Sequence, residues 1–185
     1  MANAIRWGIL GTGKIARAFA EALAETPGAQ LAAVASRSIA GADAFAAGFG
    51  QPRAFGSYQE LADADGIDIV YIATPHPMHA ANALMALGAG KAVLCEKPFT
   101  INRREAEQVV ALAREKGLFL MEAMWTRFMP ALAQVRSIIA SGEIGQVRQV
   151  MADLVSSRRP IPPTASTIWR LAGELCSISG STRCR

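Results

Sequence analysis

Cysteine, histidine and tyrosine are scarce in this sequence, with three, two and two among 185 residues. Cys95, Cys176 and Cys184 are odd in number and lack metal-ligand spacing, which excludes a disulfide framework or a zinc cluster as the organising feature. Cys95 lies inside the apolar run "AVLCE" and reads as a buried structural thiol in a reducing compartment. The first residues have no charged stretch followed by a long apolar one, so no secretory leader is expected. Every apolar segment meets a Gly, a Pro or a charge before reaching membrane-spanning length, so no membrane partner is expected and the cytoplasm is the expected location. Charge of a single sign is lacking too. Nineteen Lys and Arg against 15 Asp and Glu leave +4, and the basic residues are scattered, with pairs only at Arg103-Arg104 and Arg158-Arg159. That argues against a nucleic-acid partner. What is present is a chain 51% hydrophobic and 18% charged, long enough to bury one full core and a fragment of a second.

Short apolar runs at 5–10, 31–36, 68–73, 92–96 and 118–122 read as strands buried on both faces. Between them, 14–25, 40–48, 77–88 and 102–116 carry apolar residues at helical spacing; in the last, Ala106, Val109, Val110 and Ala113 share a face. This order predicts an α/β fold, a Rossmann-like doubly wound parallel sheet ending near residue 122. A helix at about 130–141, opened by Pro130, and an alternating strand at 146–154 then begin a second, α+β domain. The expected organisation is 1–122 for the nucleotide domain, 123–154 for the start of a second, and 155–185 for a tail without core pattern.

Three stretches carry chemistry. In "GILGTGKIA", Gly11 permits a tight turn after a strand, Gly13 lets the backbone approach a pyrophosphate, and Ala16 lets the helix pack close to the sheet. At the end of the second strand, "ASRS" replaces the acidic residue that binds ribose hydroxyls in NAD sites. Arg37 can pair with a 2′-phosphate, with Ser36 and Ser38 as hydrogen-bonding partners, so NADP is expected over NAD. In "CEKPF", Glu96 and Lys97 stand at the carboxyl end of a buried strand, where such sheets bind ligands. The Lys97 ammonium is suited to holding or moving a hydroxyl proton.

The segments "GTGKIA", "ATPHPMH", "GKAVLCEKP" and "MEAMWTRFMP" follow in this order at the spacing of the Gfo/Idh/MocA family, which residues 4–153 resemble. The likeness is greatest to its branch of dimeric dihydrodiol dehydrogenases and NADP-dependent D-xylose dehydrogenases. It implies an NADP-dependent oxidoreductase acting on a sugar or a cyclic diol. Gly11, Thr12, Gly13, Lys14, Ile15, Ser36 and Arg37 would then bind the cofactor, and Thr74, Pro75 and His79 would line the nucleotide. Glu96 and Lys97 would lie near the nicotinamide, with Lys97 catalytic. Trp125 and Arg127 would sit close to nicotinamide and substrate, and His76 beside Trp125 at the substrate. A nucleotide-binding module without catalysis is the alternative reading.

Members of that family continue into an open antiparallel sheet that binds substrate and forms the subunit interface. Its early part carries a motif like "GGGALLDLGIYPV", whose tyrosine supplies a catalytic hydroxyl. Here the tyrosines are Tyr58 and Tyr71, both in the Rossmann part, so neither matches. The stretch "LAGELCSISGSTRCR" nevertheless encodes that motif in another frame. Taking the third base of each codon with the first two of the next, Leu171–Arg185 is compatible with "GGGALLDLGIYPVS", and the preceding "TASTIWR" with "SLYDLAA". The expectation is a reading frame lost between Asp153 and Thr164, and a tail from about 155 with no core of its own.

Overall fold

The structure, a computed structural model, describes residues 4–152. They fall into two compact units divided between Met124 and Trp125.

In the first unit six strands form one sheet in the order β3-β2-β1-β4-β5-β6, with every pairing parallel. The strands are β1 (Ile5–Leu10), β2 (Ala29–Ala35), β3 (Arg53–Phe55), β4 (Ile69–Ile72), β5 (Ala92–Cys95) and β6 (Leu120–Glu122). The helices of this unit are α1 (Lys14–Ala24), α2 (Ile39–Ala46), α3 (Tyr58–Asp63), α4 (His79–Gly88) and α5 (Arg103–Glu115). Period-2 alternation sends neighbouring strand residues to opposite faces. On β4, Val70 and Ile72 enter a core closed by Leu61, Ala83, Leu87 and Val109 of α3, α4 and α5, while Ile69 and Tyr71 enter the other, closed by Ala16, Ala20 and Phe45 of α1 and α2. Because both faces are covered, all four β4 residues are buried, which is why this strand reads as an unbroken apolar run.

Sequence and structure differ in three places. The strand β3 and helix α3 fill 53–63, where periodicity gave no element. Three and six residues are too short for a period to register, and each is held by a specific contact: β2 pairing, and Ser57 capping the Glu60 amide. The helix expected over 77–88 begins two residues later. Pro77 follows His76 in a 3₁₀ turn closed by Met78 N–H on the Pro75 carbonyl at 2.9 Å. The strand expected over 146–154 is not formed in its described part, 146–152. No strand pairs with it among the described residues, and Val150 and Met151 are 79% and 84% exposed, so alternation alone did not make a strand.

The second unit opens with a 3₁₀ turn, Trp125–Phe128, and continues as α6 (Pro130–Ser141), with Pro130 at the first helical position and Gly142 closing the end. The tail expected from 155 onward lies outside the described residues.

Candidate functional site

The parallel sheet aligns the carboxyl ends of its strands. Backbone ladder bonds continue one residue beyond them: Gly11 N–H to the Ala35 carbonyl (2.9 Å), Ala73 to Leu10 (2.9 Å), Ser36 to Phe55 (3.1 Å) and Glu96 to Ile72 (3.0 Å). Four loops therefore leave the sheet at one edge: 11–13 after β1, 36–38 after β2, 73–75 after β4 and 96–98 after β5. The strand order reverses between β1 and β4, the place where open α/β sheets take their ligands.

The glycines of the first loop serve different ends. Gly11 has φ +101°, and a Cβ there would lie 2.8 Å from the Ala73 carbonyl oxygen, so the fold itself requires glycine. At Gly13 a Cβ would meet no protein atom within 4 Å, so its bareness serves space outside the protein. Gly13 caps α1 without a side-chain hydrogen bond, leaving the first-turn amides available to an anion. Ala16 is fully buried, while Lys14 and Ile15 are exposed and Thr12 is half-buried.

After β2, Ser36 is half-buried and Arg37 exposed. Arg37 makes no ion pair among the described residues, yet its charge reaches Tyr58 at the start of α3: burial raises that phenol and the guanidinium opposes the rise. Ser38 caps α2 through the Gly41 amide at 3.3 Å, and a Cβ on Gly41 would lie 3.0 Å from the Ser36 hydroxyl. A guanidinium and two hydroxyls thus share a short arc with no carboxylate in it.

After β4 the side chains turn inward. Thr74 is buried and its hydroxyl accepts from Asn82 Nδ2 at 3.0 Å. His79 is 2% exposed; Nδ1 lies 2.8 Å from the Pro98 carbonyl and Nε2 2.9 Å from the Thr74 carbonyl. The imidazole ties the loop after β4 to the loop after β5. Pro75 is exposed, and His76 Nε2 is buried without a hydrogen-bond partner among the described residues. Trp125 and Arg127 belong to the second unit, both exposed.

After β5 the loop is held at four points. Glu96 Oε1 accepts the Tyr71 hydroxyl at 2.6 Å, and its Oε2 accepts the Lys97 amide at 3.1 Å. His79 takes the Pro98 carbonyl, and Glu122 Oε1 accepts the Phe99 amide at 2.8 Å. The Lys97–Pro98 peptide is cis. Lys97 itself is exposed, and its ammonium has no partner among the described residues. Beneath the loop, burial first and then Glu122 and Glu96 push the Cys95 thiol up to about 12, so it remains an inert protonated group. Tyr71, Asn82 and Glu122 are the site residues that sequence reasoning missed.

A hydroxyl-donating cradle, bare first-turn amides and a cation at one sheet edge suit a phosphate-bearing dinucleotide. Residues 5–124 match the model of an oxidoreductase family with an NAD-binding Rossmann fold, GFO_IDH_MocA. The chain is 44% identical over 172 residues to the mouse trans-1,2-dihydrobenzene-1,2-diol dehydrogenase, covering 92% of this chain and 51% of that protein, and 45% identical to its pig counterpart over the same span. It thus spans about half the length of these curated relatives. Among solved structures it is similar to KijD10, a 3-ketoreductase from Actinomadura kijaniata in complex with NADP, at 38% identity and TM-score 0.71, over 76% of this chain and 43% of that one. The fold also resembles that of myo-inositol 2-dehydrogenase from Lactobacillus plantarum, at 22% identity and TM-score 0.72, over 78% and 43%. Because that family model covers 5–124, well over half of the sequence, the chain belongs to the Gfo/Idh/MocA oxidoreductases, in their NAD-binding Rossmann domain.

Proposed function

We propose that this chain is the cofactor-binding part of an NADP-dependent oxidoreductase acting on a hydroxyl-bearing small molecule, a sugar or a cyclic diol. The observation that carries the reading is the arc after β2, where Arg37, Ser36 and Ser38 stand in place of a carboxylate. The relatives' names supply the substrate class: a cyclic diol for the mammalian dehydrogenases and a 3-keto group for KijD10. Gly11, Thr12, Gly13, Lys14 and Ile15 would receive the pyrophosphate, Arg37 and Ser36 the 2′-phosphate, and the loops at Thr74-Pro75 and Glu96-Lys97 the nicotinamide half. Bound NADP supplies hydride exchange at its nicotinamide ring. Lys97, exposed on a rigid loop, donates a hydrogen bond to the reacting oxygen and manages its proton, while Glu96, Pro98 and Phe99 keep its backbone fixed. His76, which follows Pro75 on the loop after β4, is assigned to the substrate side of this edge.

Calorimetric titration tests the cofactor assignment. NADPH should bind the parent chain more tightly than NADH, and Arg37→Ala should erase about 1.5–3 kcal/mol of that advantage. Equal affinities in the parent refute the NADP reading. We also propose that the gene holds the rest of the enzyme in a shifted frame after Asp153. Inserting one base between the codons for Asp153 and Thr164 should yield a longer protein with the tyrosine of "GGGALLDLGIYPVS". In it, Lys97→Met should lower turnover about 10²–10⁴-fold with little effect on NADPH binding. Cofactor binding without turnover in the frame-restored protein would favour a nucleotide-binding module instead.

A further inference from the structure

Among the described residues, the buried hydroxyl of Tyr71 has one partner, the Glu96 carboxylate, and that carboxylate has two: Tyr71 on one oxygen and the Lys97 amide on the other. Tyr71 is 2% exposed on β4, and its ring stacks on Phe19 of α1 with centroids 3.8 Å apart and planes at 22°. Phe19 in turn meets Trp7 of β1 edge-on at 5.2 Å. The phenol is therefore fixed from below by an aromatic stack running from β1 through α1. It presents its hydroxyl at the sheet edge, where β4 and β5 lie in register with Ile72 beside Cys95. A buried, ring-locked donor of this kind loses little freedom on bonding, and a charged acceptor makes the bond a strong one. Burial and the adjoining Glu96 raise the phenol well above its usual range, which keeps it a donor throughout the working pH range.

We propose that Tyr71 is a positioning residue. By holding Glu96, it fixes the backbone from which Lys97 projects and so shapes the nicotinamide end of the site, leaving the adenosine end untouched. This rests on the cofactor reading above. Tyr71 touches no reacting atom; it acts through Glu96. The arrangement also explains a tyrosine in a strand otherwise filled with isoleucine and valine, since phenylalanine would supply the same stack without the hydroxyl.

The test uses the 185-residue chain, its Tyr71→Phe variant, and Phe19→Leu as a packing control that disturbs the same core without removing the hydroxyl. Amide hydrogen exchange should accelerate about tenfold at Lys97 in Tyr71→Phe, with the β1 and β2 amides unchanged. In parallel, NADPH affinity should fall about tenfold, while that for adenosine 2′,5′-bisphosphate, which has no nicotinamide, stays within about twofold. Phe19→Leu should instead move both ligands together. An unchanged Lys97 amide overturns the proposal. So does equal weakening of both ligands by Tyr71→Phe, which would make the hydroxyl part of general packing. If the parent chain binds neither ligand, the cofactor reading fails, and the Lys97 amide alone then decides whether Tyr71 holds the loop.

Discussion

Two glycines two residues apart answer to different demands. Gly11 lies at positive φ with the Ala73 carbonyl where a methyl would go, so Gly11→Ala strains backbone against backbone. It should destabilise the fold by about 1–3 kcal/mol, read from the denaturant midpoint. Gly13 has no such neighbour, and Gly13→Ala should shift that midpoint by less than about 1 kcal/mol while weakening NADPH binding at least tenfold. An unaltered affinity in Gly13→Ala would mean that the pyrophosphate does not approach there. The placement of Gly11, Arg37 and Lys97 at one sheet edge was legible in the sequence because each follows the end of an apolar run. Tyr71 was not. Within "DIVYIA" it reads as one more buried strand residue, and its meeting with Glu96, 25 positions later, depends on β4–β5 register that no local pattern encodes.

At the scale of elements, side-chain caps and cross-element ties mark where helices and strands begin. Asn102 opens α5 by accepting the Glu105 amide at 3.0 Å, and Glu105 reaches back to the Ile101 amide at 3.2 Å, a reciprocal cap. Asn102→Ala should cost about 1 kcal/mol in global unfolding, and a loss below a few tenths would show that packing of Val109 and Ala113 alone fixes the helix. At the opposite edge of the sheet from the site, Arg6 on β1 grips Asp68 just before β4, with Nη2 to Oδ1 at 2.6 Å. Hydrogen bonds from Arg6 hold Asp68 at about 2 against its usual 3.8. Because the folded value is depressed, this tie stabilises the protein fully above about pH 4 and fades as pH falls toward 2. Both side chains are nearly half exposed, so solvent screening keeps its contribution small. Arg6→Met should accordingly lower the melting temperature modestly at pH 7 and least near pH 2, flattening the acid limb of the profile between pH 4 and 2. Five strands and five helices were legible from spacing, whereas β3 and α3 owe their existence to neighbours and the stretch 146–152 lacks, among the described residues, the neighbour its alternation called for.

For the molecule as a whole, the first unit has a closed core on both sheet faces, and the described part of the second exposes several large apolar side chains, among them Phe128 at 64%, Val135 at 47% and Ile144 at 61%. The longer product of the restored frame should therefore expose less apolar surface per residue, seen as lower binding of a hydrophobic dye than the 185-residue chain shows. Unchanged dye binding would count against a substrate domain packing there.

The strand order also has a consequence in time. Although β1 is made first, its second neighbour is β4, and the Gly11 turn, bonded to Ala35 on one side, meets Ala73 on the other. At about 5–20 residues per second, a ribosome needs roughly 3–12 s to synthesise the intervening chain. A nascent chain arrested before Ala73 emerges holds the glycine turn but not the wall it leans on. Ability to retain a nucleotide on the ribosome should thus appear late and abruptly, once β4 slots in between finished β1 and unfinished β5.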